Sequence, residues 1–295
     1  MNPERSSPVV HLATEEFRSA LAYTAAKTGF RQDLIEKDYF CTLVLHELGP
    51  GFECGLVFKG GTSLSKVHAG FYRLSEDLDF VISMTADASR RIRRERIAPI
   101  KELFAAIPAR QPNLRIAEPF SGRNGSKQYI GRLSYMSAVT GNDESIIVEV
   151  SLREPILTET ERRPARTLIL GNEVAEVTIE APMVTVLSVG ETYAEKLRAA
   201  LSRREPQIRD IYDVWYALKI GVIDLASADL RTLVARKLAV PGNDPVDVSP
   251  SKLETLLRQV ETGLKAVLRP ADHDGFDLRG AYQAVADFAE DLMRK

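Results

Sequence analysis

Residues 56–82 constrain the fold of this chain more tightly than any other stretch. Leu56, Val57, Phe58 and Lys59 read as a short apolar strand, and Gly60 and Gly61 follow without a spacer. Residues 62–69 fit a short helix, Gly70 breaks it, and residues 77–82 read as a second strand. On that strand Asp77 and Asp79 project from one face, about 6 to 7 Å apart, while Leu78 and Phe80 point into the core. Two carboxylates on one face of an apolar strand repel each other unless a positive charge lies between them. A divalent cation fills that role, and an oxygen-only donor set favours magnesium or manganese over zinc. The spacing alone leaves a second reading open, in which the acids lie at a solvated strand end or pair with arginines.

A third acid strengthens the metal reading. Glu149 interrupts the run Ile146, Ile147, Val148, Val150, where an unpartnered carboxylate is costly to bury. Packed beside Asp77 and Asp79 it completes a three-carboxylate site able to hold two ions, whereas on a wet edge strand it simply faces water. The glycine pair suits phosphate. Gly60, Gly61, Thr62 and Ser63 join a strand to a helix, so backbone amides at the helix start are open to an anion, and Ser63 adds a hydroxyl or caps the helix. Lys66 follows Ser63 by three residues, so the loop is not a Walker A motif. Arg73 is placed to pair with a triphosphate or with Asp77.

Elsewhere helical periodicity marks residues 14–27 and 32–48, and again 89–107, where Pro99 is expected to kink or split the helix. Strand patterns cover residues 129–136 and 145–152, with short strands at 168–170 and 174–179. After Pro182 the pattern is helical over residues 189–203, 209–219, 228–239, 251–268 and 278–293. The chain therefore reads as an α+β front half, 1–181, and a helical domain, 182–295, that completes the site.

On the second of these halves Lys196 borders an apolar stripe of Tyr193, Leu197, Ala200 and Leu201, from which it can reach the β- and γ-phosphates of a nucleotide. Asp210 and Asp213 share one helix face, placed to orient Lys196, contact the base or ribose, or stabilise the helix end. Tyr212 and Trp215 read as core aromatics. The arginines at 90, 91, 93, 94 and 96 form a basic run that suits either an RNA backbone or a solvated face, and Lys196, Arg198, Arg203, Arg204 and Arg209 form a second basic run.

Composition narrows the classes. A formal charge of −2 excludes a globally basic nucleic-acid binder, and two cysteines, Cys41 and Cys54, without metal spacing exclude a disulfide framework or a zinc site. The polar start and the absence of a long apolar run predict a cytoplasmic protein with no membrane partner.

The stretches Phe58-Lys59-Gly60-Gly61-Thr62-Ser63-Leu64 and Arg73-Leu74-Ser75-Glu76-Asp77-Leu78-Asp79 resemble the signature of the AbiEii/AbiGii-type nucleotidyltransferase toxins, which include the MenT toxins. Ile35-Glu36-Lys37-Asp38-Tyr39 upstream is similar to that family's helix opening. Glu195-Lys196-Leu197-Arg198-Ala199 and Arg209-Asp210-Ile211-Tyr212-Asp213 downstream are similar to its later blocks. The resemblance spans residues 35–213. It implies a DNA-polymerase-β-like α+β nucleotidyltransferase core with a helical C-terminal region. It also implies magnesium-dependent transfer of a nucleotide from an NTP to an RNA acceptor, the 3′ end of tRNA in known members, and an antitoxin partner. Asp77, Asp79, Glu149 and Lys196 are then catalytic and the first three hold metal, while Gly60, Gly61, Thr62, Ser63, Lys66, Arg73, Lys196, Asp210 and Asp213 bind the nucleotide. The same site acting on a protein hydroxyl, or binding nucleotide or RNA without turnover, is the alternative. Many polymerase-β-like enzymes place Gly-Ser where this chain has Gly61-Thr62-Ser63, which leaves open which hydroxyl meets phosphate.

Overall fold

A computed structural model describes residues 14–171 and 180–294. In chain order the helices and strands are α1 Thr14–Thr28, α2 Gln32–Glu47, α3 Gly49–Glu53, β1 Leu56–Lys59, α4 Gly60–Ser63, β2 Leu78–Ile82, α5 Arg90–Ala105, α6 Ile107–Arg110 and β3 Arg115–Arg123. There follow β4 Gln128–Met136, β5 Asp143–Ser151, β6 Glu161–Pro164, β7 Met183–Val186, α7 Val189–Ser202, α8 Ile208–Lys219, α9 Ala228–Leu238, α10 Pro250–Arg258 and α11 Leu278–Met293. The seven strands form one mixed sheet in the order β3-β4-β5-β2-β1-β7-β6.

Side-chain alternation divides the sheet into two faces. Leu56 and Phe58 on β1, Leu78, Phe80 and Ile82 on β2, and Ile146, Val148 and Val150 on β5 enter one continuous core with α1, α2 and α5. The opposite face carries Lys59, Asp79 and Glu149. Lys59 lies opposite Asp79 in the antiparallel β1–β2 pair, and Asp79 lies opposite Glu149 in the parallel β2–β5 pair, so the three form one row across three strands. A second core joins α7, α8, α10 and α11 with Leu64 and Tyr72 from the front half.

Beyond β6 the strands depart from the sequence expectation. β7 lies beyond Pro182 and pairs in parallel with β1, so the change to helix falls between Val186 and α7. Residues 168–170 are not a strand: the amide of Leu168 donates to Asp38 (3.0 Å) and that of Leu170 to Thr24 (2.8 Å), so side chains of α1 and α2 take the place of a ladder. Residues 174–179 lie outside the described residues. Pro99 sits within α5 without dividing it, whereas the helix expected over 251–268 ends at Arg258 and gives way to a π turn at Val260–Leu264. Both edges of the sheet are poor templates. β3 has register shifts around Glu118 and contains Pro119, and β6 is the charged tetrapeptide Glu161-Arg162-Arg163-Pro164.

The opening of α2 is structural. Glu36 accepts from the Ala138 amide (2.7 Å) and from the Ser137 hydroxyl, fixing the β4–β5 turn. Asp38 forms an ion pair with Lys66 (2.7 Å), both fully sequestered, and Lys66 also donates to Thr42 (2.7 Å). This places Lys66 in the interior. The short helix α4 continues as a π turn over Leu64–His68, which directs Lys66 toward α2 and away from the glycine pair. Breaking a buried pair leaves one charge without a partner, which costs more than the pair itself contributes. Lys66→Met is therefore expected to lower stability by about 3 to 5 kcal/mol, measured by urea denaturation, and Asp38→Asn combined with Lys66→Met to recover part of that loss.

Candidate active site

A cleft opens where the sheet face meets α7 and α8. Its larger cavity, about 240 Å³, is lined by Gly61, Arg73, Ser75, Asp77, Asp79 and Lys196, with Arg203, Gln207, Arg209 and Asp210 on the helical side. Asp77 immediately precedes β2 and Asp79 is its second residue, so the alternation read from the sequence places both at the mouth of this cavity.

The glycines make room for these acids. Gly60 has φ +79, a conformation that side chains rarely adopt, and an added Cβ would stand 2.9 Å from the Asp79 Cβ and overlap the carboxylate. At Gly61 a Cβ would lie 2.6 Å from Arg73 Nη2 and 2.9 Å from Ser75 Oγ. No side chain caps α4, so its first-turn amides have no side-chain acceptor. Neither neighbouring hydroxyl is free to donate: Thr62 Oγ1 donates to the Asp77 carbonyl and Ser63 Oγ to the Gly60 carbonyl (2.9 Å). Backbone N–H groups are thus the donors that this turn offers to an anion.

Arg73 pairs with Asp213 in place of Asp77. Its Nε and Nη2 grip both oxygens of Asp213, at 2.5 and 2.7 Å, and Tyr72 donates its hydroxyl to the same carboxylate (2.5 Å). Lys196 completes the group, 2.8 Å from Asp213 and 3.0 Å from Asp210. Arg203 pairs with the other oxygen of Asp210 at 3.0 Å. Asp213 is fully buried behind Arg73 and Lys196, while Asp210 lines the cavity. Burial works against the Asp213 carboxylate, yet Arg73 and Lys196 hold it well below the usual carboxylate range. Burial also works against the charge on Lys196, but Asp213 and Asp210 outweigh it and raise the lysine above its ordinary value.

The three acids on the sheet side, Asp77, Asp79 and Glu149, behave in the opposite way. Burial, and then the Asp79 charge, pushes Asp77 up. Asp79 itself is raised by burial against the pull of Lys59, Lys196 and Arg203. Glu149 is raised by burial and by Asp79. A set of carboxylate oxygens whose ionised forms lack compensating charge suits a hard divalent cation. Among the described residues no three His, Cys, Asp or Glu side chains stand close enough together to form a finished ion site. Asp77 and Asp79 fit a cation as a pair, and Glu149 is the next donor along the row.

Several functional candidates escaped the sequence reading. Lys59, the cross-strand neighbour of Asp79, is clamped by Glu195 at 2.7 Å. Glu195 is shared with Lys237 (3.0 Å), which also pairs with Glu191 at 2.7 Å. Although burial opposes it, Lys59 and Lys237 keep the Glu195 carboxylate far below its ordinary range. A lysine ending a strand gives no signal of this kind. Arg203 and Arg209 were visible only as members of a basic run. In the other basic run Arg93 is structural, donating to the carbonyls of Leu152 and Ala86 (both 3.1 Å), while Arg90, Arg91, Arg94 and Arg96 face solvent.

Because the folded-state value of Asp79 is raised, its ionisation favours the unfolded chain. That cost is absent below the unfolded value and accumulates as pH rises toward the folded value. Asp79→Asn is therefore expected to raise the thermal midpoint at pH 7 by roughly 2 °C and to abolish stabilisation by added magnesium. Differential scanning fluorimetry with and without the ion checks both.

The family model for the nucleotidyl transferase AbiEii toxin of type IV toxin–antitoxin systems matches residues 45–289. No curated protein matches the sequence. Among solved structures, MenT4, a nucleotidyltransferase toxin from Mycobacterium tuberculosis, is similar over 97% of this chain and 92% of its own, at 21% identity and a TM-score of 0.58. JHP933 from Helicobacter pylori is similar over 90% and 94%, at 15% identity and a TM-score of 0.50. These structures share the fold, a mixed α+β core with appended helices. The match over most of the sequence places the chain in the AbiEii family of nucleotidyltransferase toxins.

Proposed function

We propose that the larger cavity binds an NTP and that the enzyme transfers its nucleotide to an RNA, the 3′ end of tRNA being the acceptor class that the motif resemblance favours. The observation carrying this reading is the cavity itself. Asp77 and Asp79 on the sheet face Lys196 and Arg209 on the helices, with the amides of the glycine turn beside them.

Asp77, Asp79 and Glu149 would hold divalent cations, magnesium or manganese, which supply charge neutralisation at the phosphates and lower the pKa of an attacking hydroxyl. The chain's own residues do the rest by placement. Amides of Gly61 and the following turn donate to phosphate oxygens. Lys196, held by Asp210 and Asp213, and Arg209 stand ready for the charge that develops as pyrophosphate leaves. The acceptor oxygen bonds to the α-phosphorus, the bond to the bridging oxygen breaks, and Glu149, raised by its burial, takes the hydroxyl proton. Thr62 supports this arrangement through the backbone of Asp77. Lys66 has no part in it, since it is bound to α2.

Membership of a type IV toxin–antitoxin family implies a cognate antitoxin. Among the described residues no helix is long and apolar enough to cross a membrane, and we place the protein and its RNA acceptor in the cytoplasm.

Incubation with each α-labelled NTP, magnesium and total bacterial tRNA tests the reading. Label is expected on tRNA, and Asp79→Ala is expected to reduce it at least about 100-fold. Label on protein alone would transfer the proposal to a protein hydroxyl, and nucleotide binding without label would replace it with a binding role. A second variant, Gly60→Ala, is expected to lose transfer to a similar extent, because its Cβ must displace the Asp79 carboxylate.

A further inference from the structure

Beside the larger, outer cavity a second, inner one of about 120 Å³ lies against α7. The two share Asp79, Lys196, Arg203 and Asp210, so Asp79 stands at their junction. The inner cavity is lined additionally by Gly60, by Lys59 with its ion-pair partner Glu195, and by Arg198.

Arg198 is the unusual member. It is mostly buried, and among the described residues it forms no ion pair. Its Nη1 donates to the side-chain oxygen of Asn243 (3.1 Å), a neutral acceptor, and its buried Nε has no partner. Asn243 is itself rigidly held, donating through Nδ2 to the carbonyls of Lys237 (2.8 Å), Leu238 (3.0 Å) and Val240 (3.0 Å) at the end of α9. The same oxygen accepts from Arg153 at 3.3 Å. A guanidinium oriented by an amide keeps its whole charge and a free donor, whereas one oriented by a carboxylate is already neutralised. Burial presses Arg198 below its ordinary value, the mark of a cation short of negative partners.

We infer that the inner cavity is a second phosphate subsite, in which Arg198 receives an oxyanion beside the ion-paired Lys59 and Arg203. This rests on the reading of the outer cavity as the NTP site. Pyrophosphate after transfer and a phosphodiester of the acceptor strand present the same chemistry, and binding measurements separate them.

The full-length protein is titrated with three probes: inorganic pyrophosphate, a short single-stranded RNA, and an NTP analogue with a methylene between the α- and β-phosphorus. Arg198→Gln is expected to weaken pyrophosphate or RNA about tenfold while changing the analogue less than about threefold. Arg198→Lys, which keeps the charge, is expected to recover most of the loss and shows that the Gln variant reports charge. Loss confined to pyrophosphate assigns the subsite to the leaving group, and loss confined to RNA assigns it to the acceptor. Unchanged affinity for both overturns the inference, as does an equal loss in Arg94→Gln on exposed α5, which would reveal a general charge effect. An analogue that fails to bind the wild-type protein removes the nucleotide reading of the outer cavity, while the other two titrations still decide the inner one.

Discussion

The Arg73–Asp213 pair is the contact on which the active cleft depends. Arg73 precedes β2 in the chain and Asp213 lies on α8, so a two-pronged bond between them joins the sheet to the helical half at the point where the cleft is formed. Its geometry is stringent. A planar guanidinium meets both oxygens of one carboxylate, and Tyr72 and Lys196 take the remaining acceptor capacity. A buried ion pair of this kind contributes little net stability over a well-packed apolar contact, but it tolerates no alternative alignment. Lys196 is thereby aimed before any ligand arrives, and its position is a property of the folded chain.

The sheet supplies the opposing wall by a simpler rule. Period-two alternation sends Phe58, Phe80 and Val150 into the core, so Lys59, Asp79 and Glu149 must emerge on the other face. Since antiparallel β1–β2 and parallel β2–β5 pairings both bring these residues level, one row of charged side chains arises from three separate sequence segments. A one-residue slip of β2 would bury Asp79 in hydrocarbon and expose Phe80, so the register and the chemistry are specified by the same apolar residues.

Much of this arrangement was legible in the sequence, for identifiable reasons. β1, β2, β4 and β5 declare themselves by apolar alternation, and the acids stand out because they interrupt it. β3, β6 and β7 do not: β3 is largely exposed and bulged, β6 has no apolar residue, and β7 is a four-residue strand against a helical background. Lys196 and Asp210 were visible as side chains sharing helix faces. The burial of Lys66 was not, because proximity to a glycine turn in sequence says nothing about which way a π turn rotates the following side chain. Lys59 and Arg198 depend on partners more than 40 residues away, Glu195 and Asn243, and no local pattern encodes such a contact.

The sheet margins bear on how this protein meets other chains. The sheet presents, at one margin, a strand bent by register shifts and interrupted by Pro119, and at the other a charged tetrapeptide closed by Pro164. Neither offers an uninterrupted row of backbone donors and acceptors, so recruitment by adding a strand is disfavoured, and so is self-association into fibrils. Recognition is therefore left to side-chain surfaces, which can change under selection without altering the backbone ladder that holds the acids level.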